Sequence, residues 1–524
     1  AAQFVTPEVI NFMARHGRRG QASACWTHLP RPAKIGTERR PGAMTTIIAD
    51  ATIVTGDAAG TIHHRGALAI EGNRIAAIGP TEEVAARFHG AERVDGTGRC
   101  VLPGFANIHT HLVMTLARGV FEDLSPPHKP PFDGGLSPIP LPPMTPEEQR
   151  VMCELGALEA LRSGTTALLE DAAHIANYAQ AMVDTGLRMV LAERTWDRVG
   201  ASIGDPTEFR RDEAVGRAGL ERIGRLHAAW DGAGGGRIKV GVSAWAPDMC
   251  SPELLKQVRA LQQRLDTLCT IHLNQIWGEV AAVQAHHNML PCEFLESIGF
   301  LHDRMIAAHC RCMAPLEEKI LGRHRVKVAF NSAIAARRGL SPRVSELEAA
   351  GCTIGMGSDN MAEDMVEVMR TGLFMERVRR EDGRDPTPEA ALRWATRNGY
   401  AAMGVPDGGW LAEGNLADLI MIRIARPHLV PFLRPVSVWL HQGQARDVDD
   451  VMVDGRWLMR DGTVLSMDEA RILRDAEAVA DRCWAWLFAE NPDIGRPDGF
   501  RPLPVAAGGV QAVPLHPVGP GRGA

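Results

Sequence analysis

The sequence predicts an α/β protein built on a (β/α)8 TIM-type barrel, with a small β-sandwich domain formed by both termini. Three observations predict it. Short apolar runs alternate with helix-capable stretches through the middle of the 524 residues. Strand-and-turn texture brackets that middle on both sides. Polar residues suited to binding or catalysis stand where the apolar runs end, which is where such a barrel keeps its working groups.

Residues 1–43 read as an appendage, Arg-rich and without an apolar period that continues into a core. Phe4 to Arg18 resembles a short motif of dihydroxybutanone-phosphate synthases, and the likeness stops near Gly20, so leftover upstream coding sequence is expected, with Met44 as the natural start. From 44 to 98 the chain shows short β-branched runs such as Thr46-Ile47-Ile48, and Gly72-Asn73 reads as a hairpin turn. The same texture returns over 410–465, in Leu419-Ile420-Met421-Ile422 and in Val451-Met452-Val453 before the turn Asp454-Gly455. These two segments are expected to build one β-sandwich domain.

The segment 99–409 holds the barrel. Its strands are expected to end at His111, Asp171, Arg194, Trp245, Gln275, Cys310, Asn331 and Asp359, each followed by a helix-capable stretch. Thr145-Pro146-Glu147-Glu148 carries a cap, a first-turn proline and a capping-box glutamate. A C-terminal helix is expected over 466–490 and a Pro/Gly-rich tail over 491–524.

Composition narrows the function. With 57 basic and 63 acidic side chains interspersed, net charge −6, the chain offers no sustained positive field for a phosphate backbone, so no nucleic-acid partner is expected. No apolar run is long enough to span a bilayer, and no hydrophobic signal segment opens the chain. A cytoplasmic protein acting on a small-molecule substrate, without a membrane partner, is the expectation. The ten cysteines show no framework spacing.

Chemistry is carried by the strand ends. His109-Thr110-His111 closes the first strand, and side chains two apart share a face. His272 stands at the fifth strand end, His309 at the sixth and Asp359 at the eighth. Buried imidazole and carboxylate groups need partners, and a divalent cation supplies one. Such a donor set suits zinc first, with iron, manganese or cobalt also accepted. A cation of this kind brings the pKa of water from about 15.7 towards about 7, so hydrolysis is the natural reaction.

Pro103-Gly104-Phe105-Ala106-Asn107-Ile108-His109-Thr110-His111, with His272, Ala308-His309-Cys310 and Gly357-Ser358-Asp359-Asn360, resembles the amidohydrolase superfamily. Within it the chain is most similar to the branch of chlorotriazine hydrolases and S-adenosylhomocysteine deaminases. The resemblance runs from about Thr45 to Leu487. It implies that His109, His111, His272 and Asp359 bind one metal ion. It also implies that His309 hydrogen-bonds substrate or water, and that Asp359 serves as general base and then acid. Relatives are commonly homo-oligomers, and the same is expected here.

Departures from the family pattern bear on the substrate. Gln275 stands where family deaminases carry Glu, and an amide cannot shuttle a proton. Glu279, a helical turn further on, is expected to be a solvated helix residue. Trp245 replaces a polar substrate contact, and Phe330-Asn331-Ser332-Ala333 replaces a Pro-x-Ser-Asn element. Gln275 and Trp245 are therefore read as substrate-binding. His286 and His287 are assigned to a helix, and His128 and His174 receive no role. The expected reaction is metal-dependent hydrolysis of an amide, carbamate or urea-like C–N bond. The alternative is hydrolytic deamination or dechlorination of a triazine, purine or pyrimidine.

Overall fold

The computed structural model describes residues 45–122, 139–205 and 207–503. The appendage, most of the tail and His128 lie outside the described residues. Eight parallel strands close a barrel in chain order: Phe105–Thr110, Thr165–Ala172, Arg188–Thr195, Ile238–Ala244, Cys269–Leu273, Met305–His309, Lys327–Phe330 and Thr353–Met356. Met356 pairs with Asn107 to complete the ring. These are the runs the sequence marks as strands. They read as continuous apolar runs because both faces are covered; every residue of the second and third strands is buried.

The lower interior is filled by small and branched side chains at alternate positions: Ala106 and Ile108, Ala167 and Leu169, Val190 and Ala192, Ile306 and Ala308. Tyr400 and Met403 plug the base. The helix Pro146–Arg162 begins with the expected capping box. Thr145 Oγ1 accepts the Glu148 N–H at 3.2 Å, and the Glu148 carboxylate accepts the Thr145 N–H at 2.7 Å. The C-terminal helix Glu469–Glu490 lies against it, and Trp484 donates to the Leu116 carbonyl at 3.0 Å.

Both ends of the chain build a separate nine-stranded sheet. Its centre is the antiparallel pairing of Leu419–Arg423 with Arg99–Pro103, which in turn lies beside Thr46–Val54. The strand Arg99–Pro103 thus belongs to this sheet, and the barrel begins at Phe105 rather than at 99. The reason is that Cys100, Val101 and Leu102 take backbone hydrogen bonds from the C-terminal segment. Ile48, Leu68, Val101, Leu419, Met421 and Met452 form a core drawn from both segments. The turn at Asp454-Gly455 carries positive φ at both residues (53° and 71°), as a tight hairpin requires.

One buried carboxylate ties sheet to barrel. Asp418 pairs with Arg188 at 2.8 Å, accepts the Tyr400 hydroxyl at 2.9 Å and accepts the Asp454 N–H at 2.6 Å. Among the described residues no helix is long and apolar enough to cross a membrane. The nine described cysteines are free and buried.

Candidate metal centre

The first strand does not deliver its histidines by simple alternation. Asn107 pairs with Leu168 and Thr110 with Glu170, so three steps on one strand face two on the other. This bulge carries His109 and His111 to the inner side that Ala106 and Ile108 occupy below. A comparable device works at the sixth strand. Ile306 and Ala308 point inwards, so a further extended residue would point out. His309 instead adopts φ 81°, followed by Cys310 at 49°. Asp359, after the eighth strand, has φ 73°. Non-glycine residues in this region are strained, and here the strain turns functional groups into the barrel mouth.

The side chains converge. The His109 ring lies 4.7 Å from His111, 4.9 Å from His272 and 5.2 Å from His309, centroid to centroid. Asp359 Oδ1 stands 3.4 Å from His111 Nε2 and 3.9 Å from His109 Nε2, and its Oδ2 stands 3.8 Å from His309 Nδ1. Asp171, at the second strand end, completes a further group with His111 and His272. All these residues are buried.

Hydrogen bonding fixes the tautomers. His111 Nδ1 lies 2.6 Å from the Asp171 carbonyl and His272 Nδ1 lies 2.7 Å from the Trp245 carbonyl, so each Nδ1 carries the hydrogen. Arg194 Nη2 also lies 3.2 Å from His111 Nδ1, but the shorter carbonyl contact decides. Burial, followed by the charge of neighbouring histidine and arginine, pushes His111 well below its ordinary pKa. Its Nε2 therefore bears a lone pair, and it faces His272 Nε2 at 3.1 Å. The two Nε2 atoms are thus turned towards one point.

A shared cation fits that point. Ligand atoms held at about 2.0–2.1 Å in a tetrahedral zinc site stand about 3.3 Å apart, close to the 3.1 Å and 3.4 Å separations around His111 Nε2. Both oxygens of Asp359 and both ring nitrogens of His109 are buried without a hydrogen-bond partner among the described residues. The donor chemistry fits a divalent metal, and the His/Asp cluster could bind one.

Residues 100–458 match the Amidohydrolase family. The chain belongs to the amidohydrolase family. A shorter stretch, 66–91, matches an imidazolonepropionase-like composite domain of bacteria. The amidohydrolase is 34% identical over 432 residues to a 5'-deoxyadenosine deaminase of Methanothermobacter thermautotrophicus, covering 79% of this chain and 94% of the relative. It is 34% identical to a 5-methylthioadenosine/S-adenosylhomocysteine deaminase of Desulforudis audaxviator, covering 80% and 94%. In fold it is similar to a zinc-bound adenosine deaminase from Xanthomonas campestris, with TM-score 0.74, 24% identity and coverage of 84% and 99%. It is also similar to the zinc complex of atrazine chlorohydrolase from Arthrobacter aurescens TC1, with TM-score 0.72, 21% identity and coverage of 83% and 100%.

Several residues of the amidohydrolase that sequence reasoning passed over hold this centre in place. Asn107 donates to Ser358 Oγ at 2.8 Å and to Glu363 at 3.2 Å, and accepts the Ser358 N–H at 3.0 Å. Asp359 N–H donates to the His109 carbonyl at 3.0 Å, and His111 N–H donates to the Asp359 carbonyl at 2.7 Å. Gly357 must be glycine, since a Cβ there would meet Asn331 Oδ1 at 2.3 Å and the His109 carbonyl at 2.9 Å. Asn331 Nδ2 donates to His309 Nδ1 at 3.0 Å, leaving the His309 Nε2 hydrogen without a partner among the described residues. Asp171 accepts from Ser243 at 2.7 Å and pairs with Arg194 at 3.1 Å. Burial would raise its pKa, but the charge of Arg194, the neighbouring His111 and His109 and the hydrogen bond from Arg194 together hold the group below the ordinary value. Glu170 accepts from Thr110 at 3.0 Å, Leu112 N–H at 2.9 Å and Tyr178 at 3.0 Å, and burial pushes it up to about 7. The available signal for these groups was their position at strand ends.

The substrate-contact expectations fare unevenly. Trp245 is buried, its ring edge-on to Trp196 at 5.5 Å, and its carbonyl orients His272. Gln275 is buried with Oε1 unpartnered. Glu279 is not solvated: it is fully buried and accepts the N–H groups of Asn274 and Gln275, each at 2.7 Å. The left-handed turn at Asn274, φ 51°, exposes those donors, and the carboxylate satisfies them. Burial and the charge of Asp248 raise its pKa. His286 and His287 do lie on a helix, Trp277–His287, with His287 stacked on Phe294 at 3.9 Å. His174 is outside the cluster, its backbone N–H bound to Glu193 at 2.8 Å.

Proposed function

We propose that this amidohydrolase uses one divalent metal ion, zinc first, to hydrolyse a non-peptide C–N bond of a small molecule. The carrying observation is the convergence of His111 Nε2 and His272 Nε2, 3.1 Å apart, on an Asp359 carboxylate that has no hydrogen-bond partner among the described residues. When bound, a cation there makes hydroxide available at neutral pH. In this reading His109, His111, His272 and Asp359 hold the metal. Asp359 takes the proton of the attacking water and returns it to the leaving nitrogen. His309, with its Nε2 hydrogen unused, holds the substrate oxygen.

An amide, carbamate or urea-like bond is favoured because position 275 offers no exchangeable acid. Glu279 cannot stand in, since Asn274 and Gln275 N–H groups engage it. A second reading, hydrolytic deamination of an adenosine-like heterocycle, draws on the deaminase relatives at 34% identity. Gln275 would then orient the ring. The cytoplasm, a homo-oligomeric state and independence from nucleic acid and membranes belong to the same proposal.

The test is a substrate screen of the zinc-loaded protein that reads ammonia separately from other amines and acids. Amide or carbamate cleavage is expected, with Gln275→Glu giving less than about a threefold gain. Ammonia release from adenosine-type nucleosides, raised tenfold or more by Gln275→Glu, would transfer the conclusion to deamination.

A further inference from the structure

Arg311 sits on the loop after the sixth strand, two positions beyond His309. Its stem is fixed. The backbone N–H donates to the Asn274 carbonyl at 3.0 Å, and Nε donates to the Gln275 carbonyl at 3.1 Å. The outer nitrogens Nη1 and Nη2 have no hydrogen-bond partner among the described residues, although the residue is only 6% exposed. A buried guanidinium left in this state is strongly disfavoured unless something else binds it.

Among the described residues no carboxylate stands at ion-pair distance from it. Glu279 is committed to backbone N–H groups. Asp359 is near enough for its charge to act on Arg311, and the Arg311 charge acts on His109 and His309, so the guanidinium borders the metal cluster. Arg338, also buried, adds a second positive charge close to Arg311 and Asp359. Between the fifth and sixth strand ends, two buried guanidinium groups therefore concentrate positive charge, and Arg311 holds the two end nitrogens of a fixed fork there without a partner among the described residues.

We infer that Arg311 receives a carboxylate of the substrate, so that this amidohydrolase acts on a carboxylate-bearing small molecule. A planar carboxylate matches the Nη1/Nη2 fork with two parallel hydrogen bonds and one negative charge. A phosphate dianion would set its second charge against Asp359. The inference deepens the hydrolase reading and rests on it for the identity of the pocket.

Calorimetric titration of the zinc-loaded full chain with benzoate and with benzamide tests it without requiring turnover. Benzoate is expected to bind at least tenfold more tightly than benzamide. Arg311→Met should lose tenfold or more of the benzoate affinity, leave benzamide within twofold, and melt no lower than the parent because an unpaired buried charge is gone. Arg311→Lys, which keeps the charge but not the fork, should fall between. Benzoate affinity within twofold of the parent in Arg311→Met, or no benzoate binding at millimolar concentration, overturns the inference. So does a lowered melting temperature in Arg311→Met, the mark of a structural role. Failure of the protein to hydrolyse any C–N substrate would instead strike the parent reading, since binding is measured separately.

Discussion

Asn107→Ala removes the clamp between the first and eighth barrel strands. Asn107 makes three hydrogen bonds in a fully buried setting, at 2.8, 3.2 and 3.0 Å, to Ser358 Oγ, Glu363 and the Ser358 N–H. The two bonds that Asn107 donates are each worth about 1 kcal/mol net, and in place of the third the stranded Ser358 N–H costs about 1–3 kcal/mol. The expected loss of stability is about 3–5 kcal/mol, read by urea denaturation of the metal-free protein. Function should suffer as well, since Ser358 precedes Asp359. A displacement of about 1 Å at a reacting group costs about 10²-fold in rate. The clamp reasoning is refuted if the variant unfolds within about 1 kcal/mol of the parent and retains metal and rate.

Other outcomes follow from the same geometry. Asp359→Asn should lower metal occupancy, and with excess zinc restoring occupancy the turnover should still fall by about 10²–10⁴-fold; recovery to within tenfold would deny the proton-carrying role. His302, buried and pushed down to about 4 by desolvation, accepts the Arg304 N–H at 3.1 Å and so must stay neutral. Because its folded pKa lies below the unfolded value near 6.5, its contribution is complete above pH 6.5 and is lost as pH falls towards 4, about 3 kcal/mol in all. His302→Gln should flatten the acid limb of the stability profile by that order, and an unchanged profile would refute the assignment.

The barrel was legible because buried parallel strands leave uninterrupted apolar runs, as in Leu168-Leu169 and Met189-Val190-Leu191. That His109, His111, His272 and Asp359 gather in one place was legible because charged or ligating groups at the ends of such runs have few structural excuses. What escaped depends on contacts distant in sequence. The bulge that turns His109 inwards is a register shift against Leu168 and Glu170. The left-handed φ at His309 has no glycine to announce it. Glu279 looked like a helix-surface residue until the turn at Asn274 aimed two N–H groups at it. The strand Arg99–Pro103 was assigned to the barrel because its pairing partner lies more than 300 residues away, at Leu419–Arg423.

That last pairing bears on how the molecule is made. A ribosome releases Arg99–Pro103 and the whole barrel before Leu419–Arg423 emerges, so the strand leading into Phe105 waits with one edge open, and Arg188 waits without Asp418. Early-made segments must hold together until the final fifth of the polypeptide arrives to fasten them, and such long-range closure slows folding and prolongs exposure of sticky edges. Truncating the chain near Gly409 would therefore strip Arg188 and the Tyr400 hydroxyl of their shared carboxylate and take away nearly half of the neighbouring sheet.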